Sequence, residues 1–373
     1  MRLHHLDLAR ALLMVLGIAY HAALVYAPPE SMPWRVASDQ TWPIFGHLEH
    51  FIHDFRMYAF YLVSGLFTGL LIARRGAAVM LRHRLLKLGV PLVVCGATFN
   101  TAMNLMSTQW HFHLGPGADL GTYVLRGEWL GHLWFLGNLL VYVVLAVALQ
   151  RPLSAAARLD DTRGPTVPLL LVGLTALSAA GLSVLATRLG WDRPWLFLTP
   201  EALLSYLPFF ALGQMLWHAP ALFERLIAMR LAVPLVVTTA VAQALAQQAG
   251  LAGRSYAADQ VVLALHHAAL SLAVLALIGR FRRPNRWTQR LSAASYTIYL
   301  LHQPVIVALF GLAQALALGP LAGFMVLALA TLALTWTLHE QVIARWPVLA
   351  WLLNGQPLPV PPNRRVDDRA HPA

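Results

Sequence analysis

The sequence predicts an all-α protein that crosses a membrane many times. Hydrophobic residues make up 58% of the 373 residues and charged residues only 12%, whereas about a quarter of an ordinary soluble domain is charged. The hydrophobic residues also fall in long runs, and a run of about 20 is enough for a helix to cross a bilayer core of about 30 Å. Because a spanning segment must satisfy its own backbone hydrogen bonds, these runs are expected to be helices.

Ten hydrophobic segments are expected to form about ten transmembrane helices. They lie at 6–26, 47–73, 87–107, 131–149, 167–187, 199–217, 231–249, 259–279, 292–313 and 320–342. We assign residues 1–355 to one transmembrane domain. Residues 356–373 are rich in proline and then in mixed charges, which predicts an extended or disordered cytoplasmic tail.

The basic residues indicate how these segments are oriented. With the N-terminus inside, 20 of the 27 lysines and arginines fall on the inner side and five on the outer side, and the other two, Arg10 and Arg56, lie within segments. Cytoplasmic loops carry such an excess of lysine and arginine. Both termini are therefore predicted to be cytoplasmic, and the net charge of +11 needs no nucleic-acid partner.

The first segment carries an arginine and a histidine that an ordinary membrane anchor would lack. Arg10 and His21 are eleven positions apart, which overshoots three helical turns by about 20° and places them on one face, roughly 16 Å apart along the axis. Such a helix could hold an anion at Arg10 and move a proton at His21. Alternatively, Arg10 only reaches for the cytoplasmic interface and His21 is a polar residue between packed helices. A secretory signal is disfavoured, because no small-residue cleavage site precedes Pro28.

The second segment adds a deeper cation. Arg56 lies about three turns into it, where an unpaired guanidinium costs several kcal/mol, so it should meet an anion or line a watery cavity. A structural ion pair with Asp54 or Asp7 is the alternative. His47, His50 and His53 recur every three residues at the outer mouth, but this spacing drifts around a helix and differs from the i, i+4 pair of zinc-protease helices. We therefore expect no metal site.

Further candidate residues lie in later segments. Arg84 and Lys87, with Arg82, stand at the cytoplasmic entry of the third segment, where they could hold phosphate groups or simply anchor the helix. His132, Trp134 and His302 are polar or amphipathic residues within other segments. The single cysteine, Cys95, excludes a disulfide framework and most simply packs as a small hydrophobe.

Several motifs, taken in this order, resemble the acyltransferase-3 family of membrane acyltransferases. They are L-D-L-A-R-A-L-L-M-V-L-G-I-A-Y-H with its Arg10 and His21, F-I-H-D-F-R-M with Arg56, V-S-G, R-x-x-K-x-G-V-P with Arg84 and Lys87, H-L-W-F-L with His132 and Trp134, Y-L-P-F-F, L-H-Q-P with His302, and a late Glu340. Within the family, the similarity is greatest to members that succinylate periplasmic glucans of Gram-negative bacteria.

The resemblance implies a ten-helix core in the bacterial inner membrane. It implies an acyl-coenzyme A donor, with succinyl first and acetyl next, that approaches from the cytoplasm. It also implies an acceptor hydroxyl on a periplasmic glucan, no permanently bound cofactor, and glucan-synthesis proteins as possible partners. By position, Arg10 and His21 are the functional pair, and Arg56, Arg84, Lys87, His132, Trp134 and His302 are substrate-binding candidates.

The expected chemistry is acyl transfer from a thioester to a sugar hydroxyl. Such a hydroxyl needs a general base, and neutral His21 could supply one, a contribution of about 10²–10⁴-fold. Direct attack is favoured over an acyl-enzyme because Cys95 has no evident base partner and no nucleophile elbow is present. Two alternatives are a transporter of carboxylates, acyl groups or lipid-linked sugars, and a purely structural partner of a glucan synthase.

Overall fold

The structure, a computed structural model, consists of helices that run back and forth across one body. It describes residues 4–358 except 33, 108–118, 192, 194, 197, 282 and 284. The helices are α1 (His4–Tyr26), α2 (Pro43–Arg75), α3 (Ala77–Cys95), α4 (Thr101–Met106), α5 (Leu120–Leu125), α6 (Trp134–Ser154), α7 (Thr166–Arg188), α8 (Pro200–Leu216), α9 (Pro220–Leu226), α10 (Met229–Gln248), α11 (Tyr256–Ile278), α12 (Arg286–Ala315), α13 (Pro320–Leu338) and α14 (Pro347–Asn354). Short π-helical turns follow α3 and α13, and a 3₁₀ segment (Glu128–Leu133) precedes α6.

The prediction of an all-α polytopic membrane protein is confirmed. Within the described ranges, nine helical stretches are long and apolar enough to cross a membrane, and no strand occurs there. The remaining predicted segment, 199–217, forms α8, which has 17 residues and so stands at the short limit for a spanning helix. The predicted boundary at residue 356 stays a prediction, and residues 359–373 lie outside the described part.

Helices α1 and α2 occupy the centre of the bundle. Helix α1 packs against α2, α12 and α13, and α2 also packs along α8 and α11. In the most apolar stretch of α1, 72% of the residues are buried inside the protein, compared with 11% in α10. His21 of α1 and Arg56 of α2 therefore lie among other helices, whereas α10 presents an apolar surface suited to lipid.

Glycines let α2 and α8 approach each other closely. A methyl group added to Gly65 of α2 would overlap the carbonyl of Phe210, and one added to Gly213 of α8 would overlap the carbonyl of Leu62. Small residues at helix crossings serve this purpose in membrane bundles, where packing replaces the hydrophobic driving force. The contact fixes α2, and with it Arg56, against the rest of the bundle.

Helix α12 has a defined start and an internal irregularity. It begins with a capping box in which Asn285 accepts from the Thr288 backbone amide at 2.8 Å and Thr288 accepts from the Asn285 amide at 3.1 Å. Pro304 lies inside the helix. Because proline has no backbone N–H, the carbonyl of Leu300 loses its helical donor. This irregular turn carries His302 and faces α1.

Candidate active site

Two cavities lie near opposite ends of α1. The first, which we call the Arg10 cavity, has a volume of about 290 Å³ and the second, the His21 cavity, about 270 Å³. The Arg10 cavity is lined by residues that include Arg10, Ser64, Arg84, Lys87, Tyr296, His339 and Asn354. The His21 cavity is lined by residues that include Tyr20, His21, Trp34, Arg35, His53, Arg56, His132, Trp134, His302 and Gln303. Phe135 lines both cavities, so they meet at its ring.

One stripe of α1 connects the two cavities. Arg10 and Met14 line the first cavity, and His21 lines the second. Gly17 stands between them, and a methyl group added there would lie 2.6 Å from Arg56 Nη1 and 3.2 Å from His302 Nε2. The spacing 10, 14, 17 and 21 keeps these residues on one helix face. The structure thus assigns Arg10 and His21 to one face but to different cavities.

Three histidines form a row in the interior. The ring centroid of His302 lies 5.2 Å from that of His21 and 4.8 Å from that of His132. These side chains come from α12, α1 and the 3₁₀ segment before α6. Each is at least nine-tenths buried. From the sequence they were predicted as separate candidates, and the fold brings them together.

The backbone carbonyl of Tyr299 sets the protonation pattern of two of these rings. It lies 2.6 Å from His302 Nδ1 and 3.0 Å from His132 Nε2. Because a carbonyl oxygen only accepts, both nitrogens must carry hydrogen. In the neutral rings the lone pairs therefore sit on His302 Nε2 and His132 Nδ1, which are buried and have no partner in the described part of the chain. Two unused proton acceptors thus lie in the site.

His21 has a different environment. The Gln303 side-chain nitrogen lies 2.8 Å from His21 Nε2 and 3.2 Å from His21 Nδ1, and the shorter contact favours the neutral ring that has its lone pair on Nε2 and its hydrogen on Nδ1. Trp34 stacks on the imidazole at a centroid distance of 5.4 Å, and Tyr20 meets it edge-on at 4.7 Å. The ring is thereby held in one orientation.

Arg56 brings a positive charge to the same cavity. Of the two proposed carboxylate partners, Asp54 contacts His267 at 3.2 Å and Asp7 contacts Arg10 at 3.5 Å. Among the described residues, no carboxylate pairs with Arg56, and its buried Nε has no hydrogen-bond partner. Its guanidinium instead lies 5.1 Å from the centre of the Tyr20 ring. A buried cation in this state is suited to receive an anionic group.

Arg35, in the loop between α1 and α2, adds a second cation to the lining of the His21 cavity. Burial lowers the pKa of its guanidinium, and the carboxylate of Glu128 opposes that shift. The backbone carbonyl of Arg35 accepts from the Ser107 hydroxyl at 2.5 Å. This contact ties the loop to the end of α4.

The Arg10 cavity holds three further cations. Arg10 lies 5.2 Å from the centre of the Phe67 ring and shares the cavity with Arg84 and Lys87. The Nε of Arg84 is buried without a partner in the described chain. The lining of this cavity includes no aspartate or glutamate among the described residues. The charge and the free donors suit a polyanion such as a string of phosphates.

The C-terminal helix α14 closes one side of the Arg10 cavity. The Thr297 hydroxyl lies 2.7 Å from His339 Nδ1 and donates to Asn354 Oδ1 at 3.0 Å. Asn354 Nδ2 is buried, borders the cavity and has no partner among the described residues. The next residue, Gly355, has a φ of +57°, and a methyl group there would overlap the Lys87 backbone. Helix α14 is therefore seated directly on α3.

Several lining residues were not predicted from the sequence. Gln303 stands inside the L-H-Q-P motif, so its neighbour His302 was the available signal. Trp34 was one of several outer-loop tryptophans that could stack on sugar rings, whereas Arg35 and Tyr299 gave no signal, because their roles depend on a loop fold or on a backbone carbonyl. In the described ranges, no group of three or more histidine, cysteine, aspartate or glutamate residues could hold a metal ion.

The sequence matches a known protein family. The sequence model described as an acyltransferase domain, that of the acyltransferase-3 family, matches residues 3–340. The chain belongs to this family, and its long apolar helices are those of a protein that crosses a membrane many times.

Individual relatives with a name are similar to part of this chain. The chain is similar to "Glucans biosynthesis protein C" of Escherichia coli strain K12, of strain SMS-3-5 and of O157:H7, each 28% identical over 237 residues. The match covers 60% of this chain and 60% of each relative. No solved structure matches.

Proposed function

We propose that the protein is an O-acyltransferase of the bacterial inner membrane. It moves a succinyl group, or with lower preference an acetyl group, from cytoplasmic acyl-coenzyme A to a hydroxyl of a periplasmic glucan or related polysaccharide. The observation that carries this proposal is the pair of cavities that meet at Phe135, one cationic and one rich in histidine. The named relatives support a glucan as the acceptor.

The donor is assigned to the Arg10 cavity. Arg84, Lys87 and Arg10 would hold the phosphates of coenzyme A, since guanidinium and ammonium groups are the usual phosphate ligands. The thioester arm would then extend along the apolar lining toward Phe135. The excess of basic residues on this side supports a cytoplasmic location for it.

The reaction is assigned to the His21 cavity. The lone pair of His21 Nε2, now occupied by the Gln303 amide, would accept the proton of the acceptor hydroxyl when that hydroxyl replaces the amide. The oxygen then attacks the thioester carbonyl, the carbon–sulfur bond breaks, and the coenzyme A thiolate leaves and takes up the proton. Arg56 would stabilise the negative charge that develops on the carbonyl oxygen. His132, His302 and Trp134 would shape the acceptor side.

The uncompensated charge of Arg56 also favours succinyl over acetyl. A succinyl group carries a carboxylate, and Arg56 and Arg35 are the cations that border this cavity in the described chain. A buried arginine gains most from a carboxylate that it can contact with both arms of its fork. Arg56→Gln should therefore lower transfer of succinyl more than transfer of acetyl.

The deciding experiment uses purified protein in detergent, with no gradient across a membrane. Succinyl-coenzyme A and a periplasmic glucan are supplied, and free thiol and the mass of the glucan are measured. Release of thiol together with an added succinyl mass supports the proposal. Unmodified glucan with intact donor would overturn it.

The same experiment separates the second candidate, a transporter. That function is favoured by two cavities near opposite ends of α1 that share Phe135 in their linings, as expected for alternating access. A transporter would release no thiol in detergent but would move its substrate in sealed vesicles. A purely structural partner of glucan synthesis would leave glucan substitution unchanged when His21 is replaced.

A further inference from the structure

A third cavity lies beside the His21 cavity, between α2, α7, α8 and α11. We call it the Glu201 cavity. Its volume is about 280 Å³, and its lining includes His53, Tyr58, Trp134, Ser183, Glu201, Ser205, Tyr206, Gln260 and His267. His53 and Trp134 also line the His21 cavity, so the two spaces adjoin.

The cavity is open because alanines stand where larger side chains of α7, α8 and α11 would fill the space. Ala179 and Ala180 of α7, Ala202 of α8 and Ala264 of α11 all line it. Interiors of proteins are normally packed to the density of organic crystals. A void bordered by four alanines and several polar groups is therefore expected to hold a polar occupant or water rather than to stay empty.

Two polar groups of the cavity, the Glu201 carboxylate and the Gln260 amide, have hydrogen-bonding capacity to spare. Glu201 forms no ion pair in the described part of the chain, and its carboxylate accepts a long hydrogen bond from the Ser183 hydroxyl at 3.4 Å. Gln260 is half-buried, and no hydrogen bond of its amide occurs among the described residues. A carboxylate accepts, an amide both donates and accepts, and a sugar hydroxyl can do either. These groups match hydroxyls better than they match an anion.

Aromatic rings form the wall next to the His21 cavity. Trp134 and Tyr206 stack with a centroid distance of 6.0 Å, and Tyr58 stacks on His267 at 4.4 Å. His267 is fixed in turn by Asp54 at 3.2 Å. Apolar ring faces beside polar groups offer an amphipathic surface of the kind that a pyranose ring presents on its own two faces. A lipid chain would leave the carboxylate and the amide without partners.

We propose that the Glu201 cavity is a glycosyl subsite that binds the sugar unit next to the one being acylated. The proposal rests on the function proposed above, because the acceptor hydroxyl must lie in the His21 cavity. The volume is close to the lower end of ordinary ligand pockets, about 300 Å³, which suits one sugar ring rather than a chain. His53 and Trp134, which border both cavities, would contact the two neighbouring units.

Two variants test the subsite by different means. Gln260→Ala removes a hydrogen-bonding group, and Ala264→Leu fills the space without adding a polar atom. Gln248→Ala is the matched control, since Gln248 is an exposed glutamine at the end of the neighbouring helix α10. The purified enzyme is assayed with succinyl-coenzyme A and a periplasmic glucan fraction, and the two KM values and kcat are measured.

We expect both variants to raise the KM for glucan about tenfold with little change in kcat, and to leave the KM for succinyl-coenzyme A unchanged. That pattern is the signature of lost uniform binding. The control should match the wild type. If Gln260→Ala folds and keeps the wild-type KM for glucan, the subsite is wrong even though the proposed function stands. If the wild type transfers nothing to glucan, the proposed function fails first, and binding of the glucan to wild type and Gln260→Ala without donor decides the subsite separately.

Discussion

The three histidines of the site differ in what their nitrogen atoms contact. The carbonyl of Tyr299 accepts one hydrogen bond from His302 Nδ1 and one from His132 Nε2. The other nitrogen of each ring has no partner in the described part of the chain. His21 differs because its Nε2 already accepts from Gln303. A base needs a lone pair within reach of the reacting hydroxyl. His21, His302 and His132 each carry a lone pair in the site, and the transfer rates of variants distinguish their roles.

The first prediction assigns the base. His21→Gln should lower kcat by about 10²–10⁴-fold, because glutamine keeps a hydrogen bond but takes no proton. His302→Gln should cost about tenfold, since His302 contacts His21 only through its ring. His218→Gln is the control, because His218 lies in the turn between α8 and α9. Steady-state transfer rates decide the order, and a larger loss in His302→Gln would make His302 the base.

A second prediction concerns Gly17, which lies between Arg10 and His21 in α1 and has no side chain. Gly17→Ala would place a methyl group 2.6 Å from Arg56 Nη1, so the guanidinium must move. A shift of about 1 Å near the chemistry can cost about 10²-fold in rate, and we expect a loss between tenfold and that value. Detergent stability should change little, because the displaced atom is the end of a flexible chain.

Gly173→Ala is the matched control for Gly17, since Gly173 lies inside α7 with open space around it. Alanine there should leave the transfer rate unchanged and favour the helix by up to about 1 kcal/mol. Equal rates for wild type and Gly17→Ala would mean that the position of Arg56 against α1 does not matter to catalysis.

At the scale of helices, the sequence predicted most of the elements and the face of α1 that matters. Runs of apolar residues locate spanning helices because every backbone group must be bonded within the bilayer. The register of Arg10 and His21 followed from helical geometry alone. The closure of the Arg10 cavity by α14 could not be predicted, because it depends on the close contact of Gly355 with the Lys87 backbone.

The third prediction tests the face of α1. One alanine inserted between Met14 and Gly17 rotates the two ends of the helix by about 100° relative to each other. His21 would then leave its cavity while Arg10 kept its own, and transfer should fall below detection. Expression and membrane insertion, measured by the amount of protein in the membrane fraction, should persist. The same insertion within α10, after Val241, is the control because α10 lies at the periphery. Retained activity in the α1 insertion would exclude a role for the shared face.

The fourth prediction tests α14 as a wall of the donor cavity. Gly355→Ala is strained by its φ of +57° and would overlap Lys87, so α14 should move away and carry Asn354 with it. We expect the KM for succinyl-coenzyme A to rise about tenfold. Gly164→Ala has the same backbone strain, with a φ of +82°, but open space around it, and should leave that KM unchanged. A normal KM in Gly355→Ala would remove α14 from the donor site.

At the scale of the whole molecule, the candidate residues divide between two cavities. This division could not be predicted from the sequence. Spacing along one helix indicates a shared face, but it does not say which distant segments pack against each end. Arg84 and Lys87 join Arg10, whereas Arg56, His132, Trp134 and His302 join His21. Phe135, an apolar residue that was not predicted to belong to the site, lines both cavities. Under the proposed function, donor and acceptor would therefore arrive from opposite sides.

The fifth prediction follows from that arrangement and is made with sealed vesicles of known orientation. Reporter fusions after Arg158 and after Gly190 first establish the sides, with the former expected inside the cell and the latter outside, from the charge count. In inverted vesicles loaded with glucan, succinyl-coenzyme A added outside reaches the Arg10 cavity and should release thiol and modify the enclosed glucan. Right-side-out vesicles given the same donor outside should do neither, because the charged donor cannot cross the bilayer. Detergent should make the two preparations equally active. Equal activity in the two intact preparations would mean that the donor reaches the site from either face of the membrane, and the assignment of the two cavities would then be wrong.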